Sequence, residues 1–67
     1  MSKDKFVEVL KANEIPATLE DGMVSVILVG GTGEDVKKTF FQCKLLAQKF
    51  GYNHSIRVRR MEEVHDS

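Results

Sequence analysis

The sequence predicts an α+β domain with the element order α-β-β-α-β, in which two helices pack on one face of a three-stranded sheet. Three observations support it. Apolar residues recur at helical spacing in two segments, alternating β-branched residues mark the segments between and after them, and turn residues stand near the boundaries. At 67 residues, 42% of them hydrophobic, the chain can form one small domain. We expect this domain to comprise residues 1–61, and the acidic, aperiodic residues 62–67 to fray.

The first helix is predicted from Ser2 to Asn13. Phe6 and Leu10 recur at helical spacing on one face, and charged residues occupy much of the remaining surface. Asn13 tolerates the left-handed conformation that ends many helices. Pro16 has no backbone N–H and restricts the residue before it to extended geometry, so the helix must end before this point.

Two strands joined by a tight turn are predicted to follow the first helix. Ile15 to Leu19 forms a short strand, and its proline indicates an edge strand or the start of a strand. Asp21-Gly22 stands between two apolar runs, which is the strongest local pattern for a β-hairpin. The second run, Met23 to Val29, is mostly apolar on both alternating faces. Such a strand is typical of the centre of a sheet, or of a sheet whose second face is covered.

The second helix is predicted from Glu34 to Phe50. Thr32 and Asp35 have the spacing of a capping box at its start, and Gly51 is a natural C-terminal cap. At 100° per residue, one stripe of apolar residues falls within about 40° and is expected to face the core. The members of this stripe are Val36, Phe40, Cys43, Ala47 and Phe50.

The third strand is predicted from Tyr52 to Arg60. Its inward face is expected to comprise Tyr52, His54, Ile56 and Val58. Arg57 and Arg59 alternate onto the opposite face. Because a helix connects this strand to the second strand, we expect the two to run parallel with a right-handed crossover. Two sheet orders remain open, since the third strand can lie beside the second strand or beside the first.

Gly31, Thr32 and Gly33 form a glycine-rich turn between the second strand and the second helix. Backbone N–H groups at such a turn can hold an anion at the helix N-terminus. The pattern is incomplete, because a dinucleotide-binding turn has a third glycine where this chain has Val36, and the Lys of a P-loop is missing. Two acidic residues also follow directly and would repel a phosphate. A structural turn is therefore the favoured interpretation, and anion binding is the weaker alternative.

The sequence gives little support for catalysis. Cys43 lies in the apolar stripe, where its thiol is expected to stay neutral, and neither His54 nor His65 has a carboxylate at an activating spacing. The cysteine and histidines also lack zinc-ligand spacing. We therefore predict a non-enzyme with no cofactor and no metal site. One cysteine without a partner favours a reducing compartment, here the cytoplasm, and no apolar run approaches the length of a membrane span.

Charge is distributed unevenly along a chain whose formal net charge is zero. Residues 1–35 carry three basic and seven acidic side chains, residues 36–61 carry seven basic and no acidic ones, and residues 62–67 carry three acidic ones. One interpretation is a solvated helix face with a charged edge strand that resists aggregation. The other is a surface that binds the phosphates of a nucleic acid. Its candidate residues are Lys37, Lys38, Lys44, Arg57, Arg59 and Arg60.

The sequence contains more apolar residues than the core of one small domain is expected to bury. Phe41 and Leu45, four residues apart, project away from the buried stripe of the second helix. A second apolar group lies on the outer face of the sheet and comprises Met23, Ile27 and Val29. Exposed apolar patches mark interfaces, although the first helix or the tail could instead wrap the second helix.

The leading functional hypothesis is a small cytosolic binding or accessory module that acts through protein–protein contacts. A homodimer is the favoured form, because a chain of this size gains stability by association and its acidic and basic parts complement each other. The alternative is a nucleic-acid-binding protein that uses the basic surface of the second helix and third strand. No membrane partner is expected.

Overall fold

The computed structural model describes residues 1–61, and it confirms the predicted α+β class and the order α-β-β-α-β. The elements are α1 (Lys3–Ala12), β1 (Ala17–Glu20), β2 (Met23–Val29), α2 (Gly33–Phe50) and β3 (Ile56–Met61). The predicted fraying of residues 62–67 concerns a segment outside the described residues. Among the described helices, none has both the length and the apolar character needed to cross a membrane.

The sheet has the order β1-β2-β3, so β2 is the central strand. β1 runs antiparallel to β2, and β3 runs parallel to it. The third strand thus lies beside the second strand, which decides between the two orders that the sequence leaves open. The registers place Thr18, Ser25 and Arg57 side by side across the sheet. We call the face that carries these residues the outer sheet face, because both helices pack on the opposite, inner face.

The turn between β1 and β2 confirms the predicted hairpin. Asp21 and Gly22 have φ angles of 52° and 74°, and positive φ at both central positions is the requirement of the tight turn that matches strand twist. The first strand begins at Ala17 rather than at the predicted Ile15. Pro16 cannot donate to the ladder, and it takes part only through its carbonyl, which accepts from Ile27 N at 3.2 Å.

The ends of α1 are fixed by local hydrogen bonds. Ser2 is the N-cap, and its hydroxyl accepts from Lys5 N at 3.2 Å. The left-handed residue after the helix is Glu14, with φ of 63°, and not Asn13, with φ of −99°. Asn13 instead donates its side-chain amide to the carbonyl of Val9 at 2.7 Å, which keeps it within the last helical turn.

The ends of α2 agree with the sequence. The predicted capping box is present, since the Thr32 hydroxyl accepts from Asp35 N and the Asp35 carboxylate accepts from Thr32 N. Gly51 ends the helix in the left-handed conformation, with φ of 72°. The positions of both caps place an 18-residue helix, about 27 Å long, along one side of the sheet.

The core lies between the inner sheet face and the two helices. Its buried residues are Phe6, Val7, Leu10, Ile15, Ala17, Val24, Val26, Cys43 and Tyr52. The rings of Phe6 and Tyr52 stack with 4.1 Å between centroids and 4° between planes, which joins α1 to the segment after α2. α1 contributes three of these buried residues, and α2 contributes only Cys43.

The predicted buried stripe of α2 is partly wrong. Phe40 and Phe50 are 40% and 41% exposed, and Val36 and Ala47 are half-buried. The helical periodicity is correct, but it gives only the direction in which each side chain points around the helix. It does not give how much of the helix the sheet covers. α2 packs chiefly on β3, an edge strand, so only the line through Cys43 is covered.

The predicted start of the third strand is also wrong. Residues 52–55 form a loop, and His54 is exposed instead of facing inward. Gly51 turns the chain, and Tyr52 N donates to the carbonyl of Ala47 at 2.8 Å, so these residues complete the helix end before the strand begins. Tyr52 is buried as expected, although it reaches the core from a loop.

Replacing the stacked phenylalanine of the core with an aliphatic residue should destabilise the domain. Phe6→Leu removes the stack on Tyr52 and leaves a gap between α1 and the segment after α2. We expect it to lower the free energy of unfolding by about 1–2 kcal/mol in urea titrations.

Phe40→Leu is the matched control, because it makes the same chemical change on a ring that is 40% exposed. Its effect should stay within about 0.5 kcal/mol. Equal losses in the two variants would contradict the assignment of the Phe6–Tyr52 stack to the core.

Candidate functional site

The outer face of α2 is the first unusual surface. It comprises Phe41 and Leu45 with the flanking Lys38 and Gln42, and it points away from Cys43. Phe41 is 63% exposed and Leu45 is 51% exposed. The two side chains stand one turn apart, as the sequence predicts, and no segment within residues 1–61 covers them. Large apolar side chains placed next to each other in water are typical of an interaction surface.

A hollow extends this face toward α1. It is lined by Asn13, Ile15, Gln42, Leu45 and Leu46, and it lies where the end of α1 approaches α2. Of these lining residues, Ile15 is buried and Leu45 is 51% exposed. A partner helix on the outer face of α2 would therefore find both protruding and recessed apolar groups to contact.

The outer sheet face is the second unusual surface. Register places Met23, Ile27 and Val29 together on it, as the sequence predicts, and brings Arg57 and Arg59 from β3 onto the same face. Val29 is 83% exposed, whereas Met23 and Ile27 are half-buried. The surface is thus a mixture of apolar and basic groups, and two of its three predicted apolar members, Met23 and Ile27, are less exposed than Phe41 and Leu45.

An ion pair crosses the outer sheet face from one edge to the other. Arg59 Nη2 lies 3.1 Å and 3.2 Å from the two carboxylate oxygens of Glu20. Glu20 is on β1 and Arg59 is on β3, so the pair spans the central strand. Between them, Ser25 is completely buried, and its hydroxyl has no hydrogen-bond partner among the described residues. The ion pair with Glu20 neutralises the charge of Arg59 on this face.

The six candidate nucleic-acid residues do not meet on one surface. Arg60 alternates onto the inner side of β3 and donates from Nη1 to the carbonyl of Gly31 at 3.0 Å. Arg59 is paired with Glu20, and Arg57 lies beside Ser25 on the outer sheet face. The lysines stand on α2, where Lys44 Nζ lies 5.6 Å from the ring centroid of Phe40.

The glycine-rich turn holds one of the chain's own carboxylates. Thr32 N donates to Asp35 Oδ2 at 2.8 Å, so a backbone N–H that an anion would use already has a charged acceptor. Gly31 has φ of 85°, and a Cβ at this position would lie 2.7 Å from the same oxygen. The positive φ and the close approach of Asp35 explain why a glycine occupies position 31. This geometry supports the structural interpretation of the turn.

A groove between α2 and the start of β3 was not foreseen from the sequence. It is lined by Phe40, Lys44, Ala47, Gln48 and the residues from Gly51 to Ile56. Leu46 lines the hollow beside α1, so the groove lies on another side of α2, next to the loop of residues 52–55 and the first residue of β3. We call it the α2–β3 groove. Phe40 and Lys44 are four residues apart and so lie side by side on α2, which is the sequence pattern that could indicate this groove. The prediction that Phe40 faces the core led away from it.

The titratable groups of the core are held in their neutral forms. Burial raises the pKa of the Cys43 thiol from 9.0 to about 11 and also raises the pKa of the Tyr52 hydroxyl. His54 stands outside the core, with its ring 5.3 Å from that of Tyr52 in an edge contact. Within residues 1–61, no three His, Cys, Asp or Glu side chains are grouped as metal ligands.

The raised pKa of Cys43 predicts a loss of stability in base. The folded state holds the thiol proton more tightly than the unfolded chain, so the contribution is complete below pH 9.0 and is lost as the pH approaches about 11. Tyr52 acts in the same direction. Urea unfolding across this range should show a falling free energy of unfolding.

Cys43→Ala should make that fall shallower, with the remaining slope coming from Tyr52. The variant removes the titrating thiol and leaves the tyrosine unchanged. A free energy of unfolding that rises over the same pH range would contradict the buried, neutral thiol.

Comparison with known protein families, with curated proteins and with solved structures finds no match to this chain. Its own surfaces therefore carry the functional inference. They are the outer face of α2, the outer sheet face and the α2–β3 groove. The first is the most apolar, and the third combines apolar residues with a lysine.

Proposed function

We propose that the protein is a small non-enzymatic binding module that acts through protein–protein contacts and self-associates through the outer face of α2. One observation carries this proposal. α2 has 18 residues but buries only Cys43, and it exposes large apolar side chains along its length. These side chains are Phe40, Phe41, Leu45 and Phe50.

Within residues 1–61, α2 has little of its apolar surface packed against other elements. An isolated helix is marginal in water, and most helices in proteins are stabilised by packing of an apolar face. Removing Phe41 and Leu45 from water would contribute on the order of 1–2 kcal/mol each, at about 25 cal/mol per Å² of apolar surface. Self-association supplies that burial without any further segment of the chain.

A two-fold arrangement of antiparallel helices suits the distribution of residues on this face. With the axis near the level of Cys43, Phe41 of each copy contacts Leu45 of the other, as a self-complementary interface requires. Acidic residues stand at the N-terminal end of α2, and Lys49 stands in its last turn. Antiparallel helices bring these ends together, so charges and helix dipoles are complementary.

A binding role also agrees with the state of the reactive side chains. The thiol of Cys43 is buried and neutral at physiological pH, so it is not an available nucleophile. A free cysteine in this state is compatible with the reducing environment of the cytoplasm, where we place the protein.

Nucleic-acid binding is the second candidate, and the observation in its favour is the run of seven basic residues without an acidic one in residues 36–61. It is weaker because Arg59 and Arg60 are already engaged by Glu20 and by the Gly31 carbonyl. The phosphate contacts left to the outer sheet face centre on Arg57.

Phe41→Asp should convert the dimer to a monomer while the fold is kept. A carboxylate at this position would have to be buried without a partner in the proposed interface, so the dissociation constant should rise by at least about tenfold. Sedimentation analysis over a range of concentrations measures the association, and far-UV circular dichroism checks the fold.

Val29→Asp is the matched control, because it adds the same charge at a residue that is 83% exposed on the outer sheet face. This variant should still dimerise. A dimer that survives Phe41→Asp and is lost in Val29→Asp would move the interface from α2 to the sheet. A wild-type chain that stays monomeric at millimolar concentration would refute self-association.

The nucleic-acid alternative predicts a salt-dependent titration. Amide NMR with short duplex DNA and RNA should then show shifts near Arg57 and Lys44, and these shifts should weaken from low to physiological salt. Arg57→Ala should weaken binding and flatten its salt dependence. The absence of shifts at low salt would exclude this alternative.

A further inference from the structure

We propose that the open edge of β3 binds an acidic, extended peptide segment of a partner protein, which adds to the sheet as a fourth strand with one end beside the α2–β3 groove. This surface differs from the outer face of α2, so the binding does not depend on self-association. Strand addition of this kind obtains affinity from main-chain hydrogen bonds and specificity from alternate side chains. The structure supports each of these parts.

The first part is an edge with unpaired backbone groups. Within residues 1–61, β3 pairs with β2 on one side only, and its six residues leave a row of N–H and C=O groups on the other side. The opposite edge of the sheet is less suitable, because β1 has four residues and is preceded by Pro16. The longer open edge is therefore that of β3, whose first residue, Ile56, lines the α2–β3 groove.

The second part is an apolar surface beside that edge. Phe40 and Ala47 reach the groove from α2, and Ile56 reaches it from the first position of β3. Phe40 is 40% exposed and Ile56 is half-buried, so both offer apolar surface to an added strand. Alternate side chains of a strand point to opposite faces. Every second side chain of an added peptide would therefore face α2.

The third part is charge. The groove carries Lys44 on α2, and β3 carries Arg57, Arg59 and Arg60 along its six residues. A second copy of this chain cannot use the same edge easily, since pairing two such strands would bring six arginines together. An acidic segment meets the opposite situation: when its apolar side chains face α2, its carboxylates lie on the outer sheet face, beside Arg57 and the Arg59 that already attracts the carboxylate of Glu20. Charge complementarity therefore selects an acidic partner strand.

A nucleic acid fits this edge less well than a peptide. The carbonyl groups along β3 need N–H donors in regular spacing, and a polynucleotide backbone has none. β3 itself carries no aromatic side chain on which bases can stack. The observations therefore favour a peptide, and a nucleic acid becomes an outcome that the experiment must distinguish.

The experiment uses a capped peptide of about ten residues in which Glu and Val alternate, long enough to cover a typical strand. The same length of alternating Lys and Val is the control peptide. Each is added to the labelled full chain and to the Phe41→Asp variant, and amide NMR follows both chemical shifts and hydrogen exchange. We expect the acidic peptide to bind both proteins and the basic peptide to bind neither.

Hydrogen exchange reports on strand addition directly. Only alternate amides of an edge strand point outward, so alternate residues between Ile56 and Met61 should exchange at least about tenfold more slowly with saturating peptide. Binding without this protection would refute addition to the edge. Binding by wild type and loss in Phe41→Asp would place the peptide on the outer face of α2 instead.

A pair of charge reversals locates the site. Arg57→Glu should weaken binding of the acidic peptide by about tenfold, because the carboxylates of a peptide whose valines face α2 lie on the outer sheet face beside this arginine. Lys49→Glu makes the same reversal of charge on α2, away from the outer sheet face and outside the groove, where the lysine lies 5.7 Å from the ring centroid of Phe50. It should change the affinity by no more than about twofold.

Two further outcomes would overturn the proposal. Equal losses in Arg57→Glu and Lys49→Glu would indicate attraction to overall charge without a site. Tighter binding of an oligothymidylate than of the acidic peptide, with shifts on the same residues, would assign the surface to nucleic acid. Dimerisation measured by sedimentation is independent of both results, so failure here leaves the proposed self-association to its own test.

Discussion

The width of the sheet is the constraint on which the rest of this structure depends. Three strands span only about 10 Å between the outer two, whereas two packed helices lie about 8–10 Å apart and are each about 10 Å wide. Both helices therefore cannot be centred on the sheet. α1 packs over β1 and β2, which leaves α2 over the edge strand β3. The exposed apolar residues of α2 and the groove beside β3 both follow from that position.

The small core and the exposed helix belong together energetically. α1 contributes Phe6, Val7 and Leu10 to the core, and Tyr52 closes it by stacking on Phe6. α2 contributes only Cys43, so the longer of the two helices has the fewer buried residues. In a chain of 67 residues this leaves apolar area that a partner can cover, and it makes association a source of stability for the fold itself.

Electrostatics separates the two proposed surfaces. The outer face of α2 is apolar at its centre and carries charges of both signs toward its ends, as a self-complementary contact requires. Among residues 1–61, Lys44 is the only Lys, Arg, Asp or Glu that lines the α2–β3 groove, and Arg57 and Arg59 of the same edge strand lie on the outer sheet face, where Glu20 neutralises Arg59. A dimer formed through the first surface would present two copies of the second. Two linked sites bind a divalent partner more tightly than either site alone.

The sequence by itself determined the element order, the hairpin at Asp21-Gly22 and the caps of α2, because each depends on the conformational preferences of neighbouring residues. It also determined that Phe41 and Leu45 point away from Cys43, since helical periodicity fixes direction. Only the tertiary structure decided how much of α2 is covered and where β3 begins. Those depend on the sheet order and on which strand lies under the helix. The exposure of Phe40, the pairing of Glu20 with Arg59 and the groove beside β3 are consequences of contacts between distant segments, and no local pattern contains them.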